Sequence, residues 1–421
     1  MASTNYEFDV VPAYRLHVNA TLDDIRKSPG LYYNAADIVW MMASSALVLL
    51  MVPATGLLYS GTSNRSTIYM TWMPIITTAV VGIVWFLWGY AIAFSPSGSG
   101  FWGGPAGTAF HDVLIRPVGN KQGPQIPELV YVLFQGMFAC FTASLVSGAT
   151  IYKERTLKWI IFVVFWVTLV YCPIAHWSWN PEGWGSKWGT LDFAGGTPVH
   201  ICAGTSALAY SLFYLMQLHR YNGQRADGGP RRSVDDWMQG DTNQHVSTVL
   251  TGTILLWIGW FGFNGGSALG ANMRAVAACI STHLAACAGG ITGCLLEAFY
   301  SWLQYGCTIP DNRRREVLEQ LVVQFCNGAV VGLVAVTPGA GYISPYYAPI
   351  FGLIGAFLSF YALKLSKYLF DTLDIFAIHA VGGFVGMILT AFFARADIVA
   401  LDGYSTIPGG ANTIDDNWNQ L

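Results

Sequence analysis

Ten predominantly apolar stretches of about 20 residues or more occupy most of this chain, near 38 to 60, 68 to 94, 129 to 149, 158 to 179, 194 to 217, 246 to 266, 275 to 299, 318 to 338, 346 to 368 and 374 to 395. In hydrocarbon every backbone N–H and C=O needs an internal partner, so such stretches fold as helices and the chain reads as an all-α polytopic membrane protein. Composition agrees: 53 % of residues are hydrophobic and 11 % charged, where a soluble domain carries about 25 % charge. The 46 glycines suit close helix packing and the 16 tryptophans suit the membrane interfaces. A net charge of −3 offers nothing to nucleic acid. Cys140, Cys172, Cys202, Cys279, Cys287, Cys294 and Cys326 lie in apolar stretches and Cys307 in a loop, which argues against a disulfide framework or a zinc ribbon.

Thirteen of the 21 Lys and Arg residues fall on one side if the N-terminus is outside, among them Lys153, Arg155, Arg231, Arg232 and Arg313 to Arg315. That bias puts the N-terminus outside and the basic loops in the cytosol. Residues 1–36 contain no apolar core, so no cleavable signal is expected and the first span inserts as its own. The sequon Asn19-Ala20-Thr21 then faces outward as a glycosylation acceptor, whereas Asn64-Arg65-Ser66 faces the cytosol. Ten crossings return residues 397–421 to the outside.

Within this frame two histidines stand out. His200 and His379 each lie eight residues after an aspartate, Asp192 and Asp371, and four before a glycine, Gly204 and Gly383. Ala203 and Ala207 align with Gly382 and Gly386, so a single offset of 179 superposes five similar positions. An internal duplication that sets two imidazoles at equivalent depths would produce this pattern. An ionisable group within a span costs roughly 2.5 to 3.5 kcal/mol on insertion scales, which makes a matched pair a functional candidate, each ring the other's partner. The rival readings are two ordinary core histidines, or a metal or haem pair. Metal needs a third or fourth ligand, and His17, His111, His219 and His245 fall in predicted tails or loops; His176 sits at the end of span four and His283 alone in span seven. The fifth and sixth spans are interrupted by Thr197, His200, Asn264 and Ser267, as helices lining a path would be.

Several blocks resemble the ammonium transporters (Amt/Mep/Rh), most closely the fungal ammonium permeases, over about Asp37 to Arg395. They are Asp192-Phe193-Ala194-Gly195-Gly196 with Val199-His200, Gly259-Trp260-Phe261-Gly262-Phe263-Asn264-Gly265-Gly266-Ser267, and Phe134-Gln135-Gly136-Met137-Phe138-Ala139. The resemblance implies a plasma-membrane homotrimer with one pore per subunit, built from two inverted five-helix repeats (about 37–219 and 246–396) and an eleventh helix. That eleventh span is absent here, so residues 397–421 read as an extracellular segment leading to it. Trp179, Phe138 and Ser267 resemble the outer site that recruits ammonium, Phe138 and Phe263 a stacked gate below it, and His200 and His379 the twin histidines of the pore. Phe134, Trp260, Asp192 and Asp371 resemble supporting residues, with Asp192 capping the fifth span through backbone N–H groups. The implied activity is transport of ammonium, deprotonated near the gate and conducted as ammonia, with or without a relayed proton. No enzyme activity, cofactor, metal or nucleic acid is implied.

The sequence departs from the family pattern at Pro53-Ala54-Thr55-Gly56, where Thr55 brings a hydroxyl toward the path, at Ala380, which adds a methyl after His379, and at Phe370-Asp371. Two alternatives stand beside transport: an ammonium sensor or non-conducting trimer partner, and a membrane carrier with His200 and His379 ligating metal or haem.

Overall fold

Asn34 starts the first membrane helix by accepting the Ala36 N–H on its side chain at 2.9 Å, Ser66 caps the second through the Tyr69 N–H and Asn272 the seventh through the Ala275 N–H. Each cap satisfies a donor the helix itself leaves open. The computed structural model describes residues 27, 33–63, 66–119, 125–150, 156–224, 245–369, 373–403 and 405. Among them ten helices are long and apolar enough to cross a membrane: α1 (Ala35–Gly61), α2 (Thr67–Phe94), α3 (Glu128–Ser147), α4 (Thr156–Lys187), α5 (Gly196–Gln217), α6 (Val246–Gly266), α7 (Met273–Tyr305), α8 (Asp311–Val336), α9 (Pro345–Leu365) and α10 (Phe376–Phe393). The expected all-α polytopic architecture is therefore the one observed. A two-stranded ribbon, Pro117–Gly119 with Gln125–Pro127, leads into α3.

Burial is inverted relative to a water-soluble domain. Leu169, Leu157 and Leu295 are 68 %, 68 % and 64 % exposed on the outer surface, while Glu128, His200 and Asn264 are wholly buried. Lipid solvates the former, and the latter need partners inside.

Helix pairings repeat. α2 packs on α3 and on α4, as α7 packs on α8 and on α9, while α1 runs along α6 and α5 along α10. Shifting each helix by five maps these pairs onto one another, consistent with two repeats that, five being odd, cross the membrane in opposite senses. Glycine permits close crossings. A Cβ on Gly289 of α7 would fall 2.2 Å from the Gly328 carbonyl oxygen of α8, and one on Gly328 would fall 2.2 Å from that of Gly289. Only bare backbones approach so closely.

The helices that carry the two histidines begin abnormally. α5 opens with a π-helical turn over Gly196–Ile201 and α10 with one over Phe376–Val381. His200 and His379 lie inside these turns, close to where the two helices face each other.

Candidate functional site: a buried column of rings

Asp192 prepares the start of α5. Its carboxylate accepts the backbone N–H groups of Gly195, Gly196 and Thr197 at 2.8, 2.7 and 2.7 Å, and Gly195 takes a left-handed φ of 113° to bring them together. With both oxygens so engaged, the carboxylate shapes the turn rather than holding a free ion. Burial pushes the Asp192 carboxyl above its ordinary range, and the three N–H groups act in the opposite direction.

The Asp192 backbone carbonyl receives the indole N–H of Trp179 at 3.0 Å, which fixes that ring at one mouth of the bundle. Trp179 meets Phe138 edge-on with centroids 5.8 Å apart. Phe138 in turn stacks on Phe263 at 4.1 Å and 19°, with Phe134 tilted against it at 4.8 Å. Ser267, one turn beyond Phe263, donates its hydroxyl to the Phe263 carbonyl at 2.9 Å, leaving the oxygen as an acceptor. The N-terminal end of α1 lies on this same face, since Asp37 accepts the Ala271 N–H at 2.7 Å.

Beneath the phenylalanines come the imidazoles. His200 packs 6.0 Å from Phe263, lies parallel to Trp260 at 5.4 Å and 15°, and parallel to His379 at 5.3 Å and 14°. Their Nδ1 atoms are 3.2 Å apart, so one donates and the other accepts. The pair therefore fixes opposite tautomers, and one Nε2 carries a proton where the other offers a lone pair. Among the described residues the His200 Nε2 has no protein partner. Trp260 is held in turn by Thr337, its N–H donating to Oγ1 at 2.9 Å.

Past His379 the surroundings are of another kind. A narrow cavity lined by Thr55, Leu58, Tyr59, Phe141, Trp260 and His379 adjoins a second one that reaches Thr62, Asn327 and Asp374. Thr55 lines the first, although its hydroxyl donates back to the Met51 carbonyl at 2.9 Å. Ala380 seats against Gly204, where an added Cβ would lie 2.4 Å from the Ala380 nitrogen and 2.6 Å from its Cβ. The methyl after His379 is accommodated because the facing helix presents glycine.

Asp371 and Asn19 lie outside the described residues. His219, expected in a loop, falls within the helical continuation of α5, and His283, expected alone, faces Trp257 at 5.5 Å and Cys287 Sγ at 3.7 Å. His176 is tied to two backbone carbonyls, those of Ala93 and Ser99. Among the described residues no group of three His, Cys, Asp or Glu side chains could hold a metal ion. Sequence reasoning assigned no role to Thr337, Phe141 or Tyr59, and Phe141 and Tyr59 carry neither a charge nor a local motif to signal one.

Two aromatic layers thus close over a buried imidazole pair. The pattern of the Ammonium Transporter Family matches residues 39–421 of this chain. The chain belongs to that family. Ammonium transporter 1 of Schizosaccharomyces pombe is 42 % identical over 378 residues, 89 % of this chain and 69 % of that protein. Among family members of known structure, crystalline Mep2 of Candida albicans superposes with a TM-score of 0.79 at 35 % identity, covering 97 % of this chain and 83 % of that one. Mep2 of Saccharomyces cerevisiae gives 0.78 at 32 % identity, covering 99 % and 85 %.

Proposed function

We propose that this family member moves ammonium across the membrane by separating the ion from its proton. The observation that carries the reading is the 3.2 Å imidazole contact buried directly beneath a stacked phenylalanine pair. Trp179 and Phe138 present rings, and Ser267 an oxygen, to an arriving cation; aromatic faces attract one by about 0.5 to 2 kcal/mol, rising with desolvation. Carrying the intact ion onward costs on the order of 20 kcal/mol in a medium of low dielectric, and neutral histidines do not repay this. Ammonium differs from potassium in being able to give up its proton. Deprotonation at the Phe138–Phe263 stack, the proton passing back to bulk water at the mouth or to a lone pair of the imidazole pair, leaves ammonia, a donor and acceptor that matches the mixed edge of His200 and His379. The opposed tautomers also offer the proton a relay.

The reading places the Trp179 mouth and the N-terminus outside the cell, in a plasma-membrane homotrimer. Asn19 is its glycosylation acceptor, and the two repeats, about 37–219 and 246–396, each contribute one histidine to the pore. The test is ammonium-evoked current recorded beside ammonia flux in proteoliposomes. Flux with current supports a relayed proton, flux alone supports passage of ammonia, and the absence of both in folded protein sinks the transport reading.

A further inference from the structure

The Trp179 face also holds a buried cation whose purpose the pore does not explain. Arg274, at the start of α7, is 8 % exposed. Its Nε donates to the Gly341 carbonyl at 2.7 Å and its Nη1 to Asp402 Oδ2 at 3.2 Å. The guanidinium lies 5.0 Å from the Phe193 ring and 4.9 Å from that of Tyr342, rings that themselves meet edge-on at 5.6 Å. Phe193 is the neighbour of Asp192, and its N–H is anchored on the Pro338 carbonyl at 2.9 Å. Gly341 must stay bare, because a Cβ there would fall 2.2 Å from the Phe193 ring.

Arg274 thus grips the turn from which Asp192 organises α5 and to which Trp179 donates its indole N–H. A fixed positive charge there opposes the recruitment of a cation. The Tyr342 hydroxyl, pushed up first by burial, is pulled down by Arg274 and pushed up by Asp192, so both charges act on one neighbourhood. Asp402 balances the first of them. It is 6 % exposed and lies beyond α10 in a segment laid over the same loop, where the Arg395 N–H donates to the Tyr342 carbonyl at 2.8 Å and Ser405 N–H to Asp402 Oδ1 at 2.7 Å.

We infer that Arg274 is a positioning residue of the cation-recruiting mouth and that Asp402 neutralises it, so that the mouth keeps a net attraction for ammonium. The inference rests on the transport reading above. Kinetics of ammonium uptake in proteoliposomes separate the two roles. Asp402→Asn keeps the shape and the Ser405 contact but unmasks the arginine; KM should rise severalfold, the order expected for a unit charge facing a cation across a partly aqueous medium, with a smaller effect on maximal rate. The double variant Arg274→Gln with Asp402→Asn should recover most of that KM while lowering maximal rate, because the charge is gone but the grip on Phe193 is loosened. An unchanged KM in Asp402→Asn, or a double variant with KM as poor as the single, overturns the inference. If Asp402→Asn fails to fold, the double variant still decides: near-normal KM supports the charge role and a raised KM removes it. A wild-type chain without uptake removes the transport reading and this one together, and is seen before any variant is made.

Discussion

The two ends of the ring column differ more than the two histidines do. His200 is walled by Trp260 and Phe263 below the Phe138 stack, whereas His379 also borders narrow cavities where Thr55, Leu58 and Val330 join Tyr59, Phe141 and Trp260 and which reach Asn327 and Asp374. The repeat duplicates the imidazoles and not their surroundings. The lesson is that pseudosymmetry positions a pair while the surroundings stay asymmetric; on the transport reading proposed above, one end would strip and select and the other deliver.

The comparison breaks most visibly at the histidines. Replacing His200 by Glu should admit potassium, since a carboxylate can accompany a bare cation where neutral imidazole cannot, and the loss of ammonium over potassium discrimination should exceed about tenfold, or 1.4 kcal/mol. His379→Glu, next to the narrow cavities, should weaken discrimination less. Paired ammonium and potassium currents measure both, and equal losses would show that the aromatic walls add no selectivity.

Gly204→Ala should come next. The new methyl meets the Ala380 backbone nitrogen at 2.4 Å, so α5 and α10 must part and the imidazole contact must lengthen. Overpacking of this kind costs about 1 to 3 kcal/mol, read as a fall in melting temperature with a disproportionate loss of uptake.

For Asp192→Ala, three backbone donors lose their acceptor at once. The expected outcome is about 1 to 3 kcal/mol of stability, seen as less folded protein in the membrane, with the uptake per folded molecule reduced less than by any histidine change. A fully folded variant that has lost ammonium binding would instead make Asp192 an ion ligand.

The smallest effect belongs to Thr55→Val. The hydroxyl is already spent on the Met51 carbonyl, so uptake should change less than about twofold, within the few tenths of a kcal/mol typical of a substitution that breaks no network.

Much of this was legible in the sequence because membrane spans announce themselves by length and apolarity. All ten were readable, and the constant offset between His200 and His379 pointed to the contact before any coordinates. Asp192 was readable as a cap from Gly195 and Gly196 beside it. The lateral partners were not, because Trp260 on His200 and Arg274 on Phe193 are contacts between distant segments made by residues with no local periodic signal. The π-helical turns were equally silent, since they follow from how α5 and α10 are held rather than from residue preference. His283 looked solitary for the same reason: Trp257 comes from another helix.

Those turns carry a consequence of their own. In the first, Val199 and His200 both direct their N–H groups at the Gly195 carbonyl, each at 3.2 Å, so one residue more than an α-helix requires is folded into the same height. Removing one residue from Gly196–Ile201 would let regular coiling resume, leaving the helix beyond in phase but redistributing the residues inside the turn around the axis. The imidazole, which lies inside that turn, would lose its aim at His379 even though no neighbouring residue had changed. The aim of His200 is therefore written in the number of residues as much as in their kind, and this stretch should tolerate exchange of side chains far better than loss or gain of a codon.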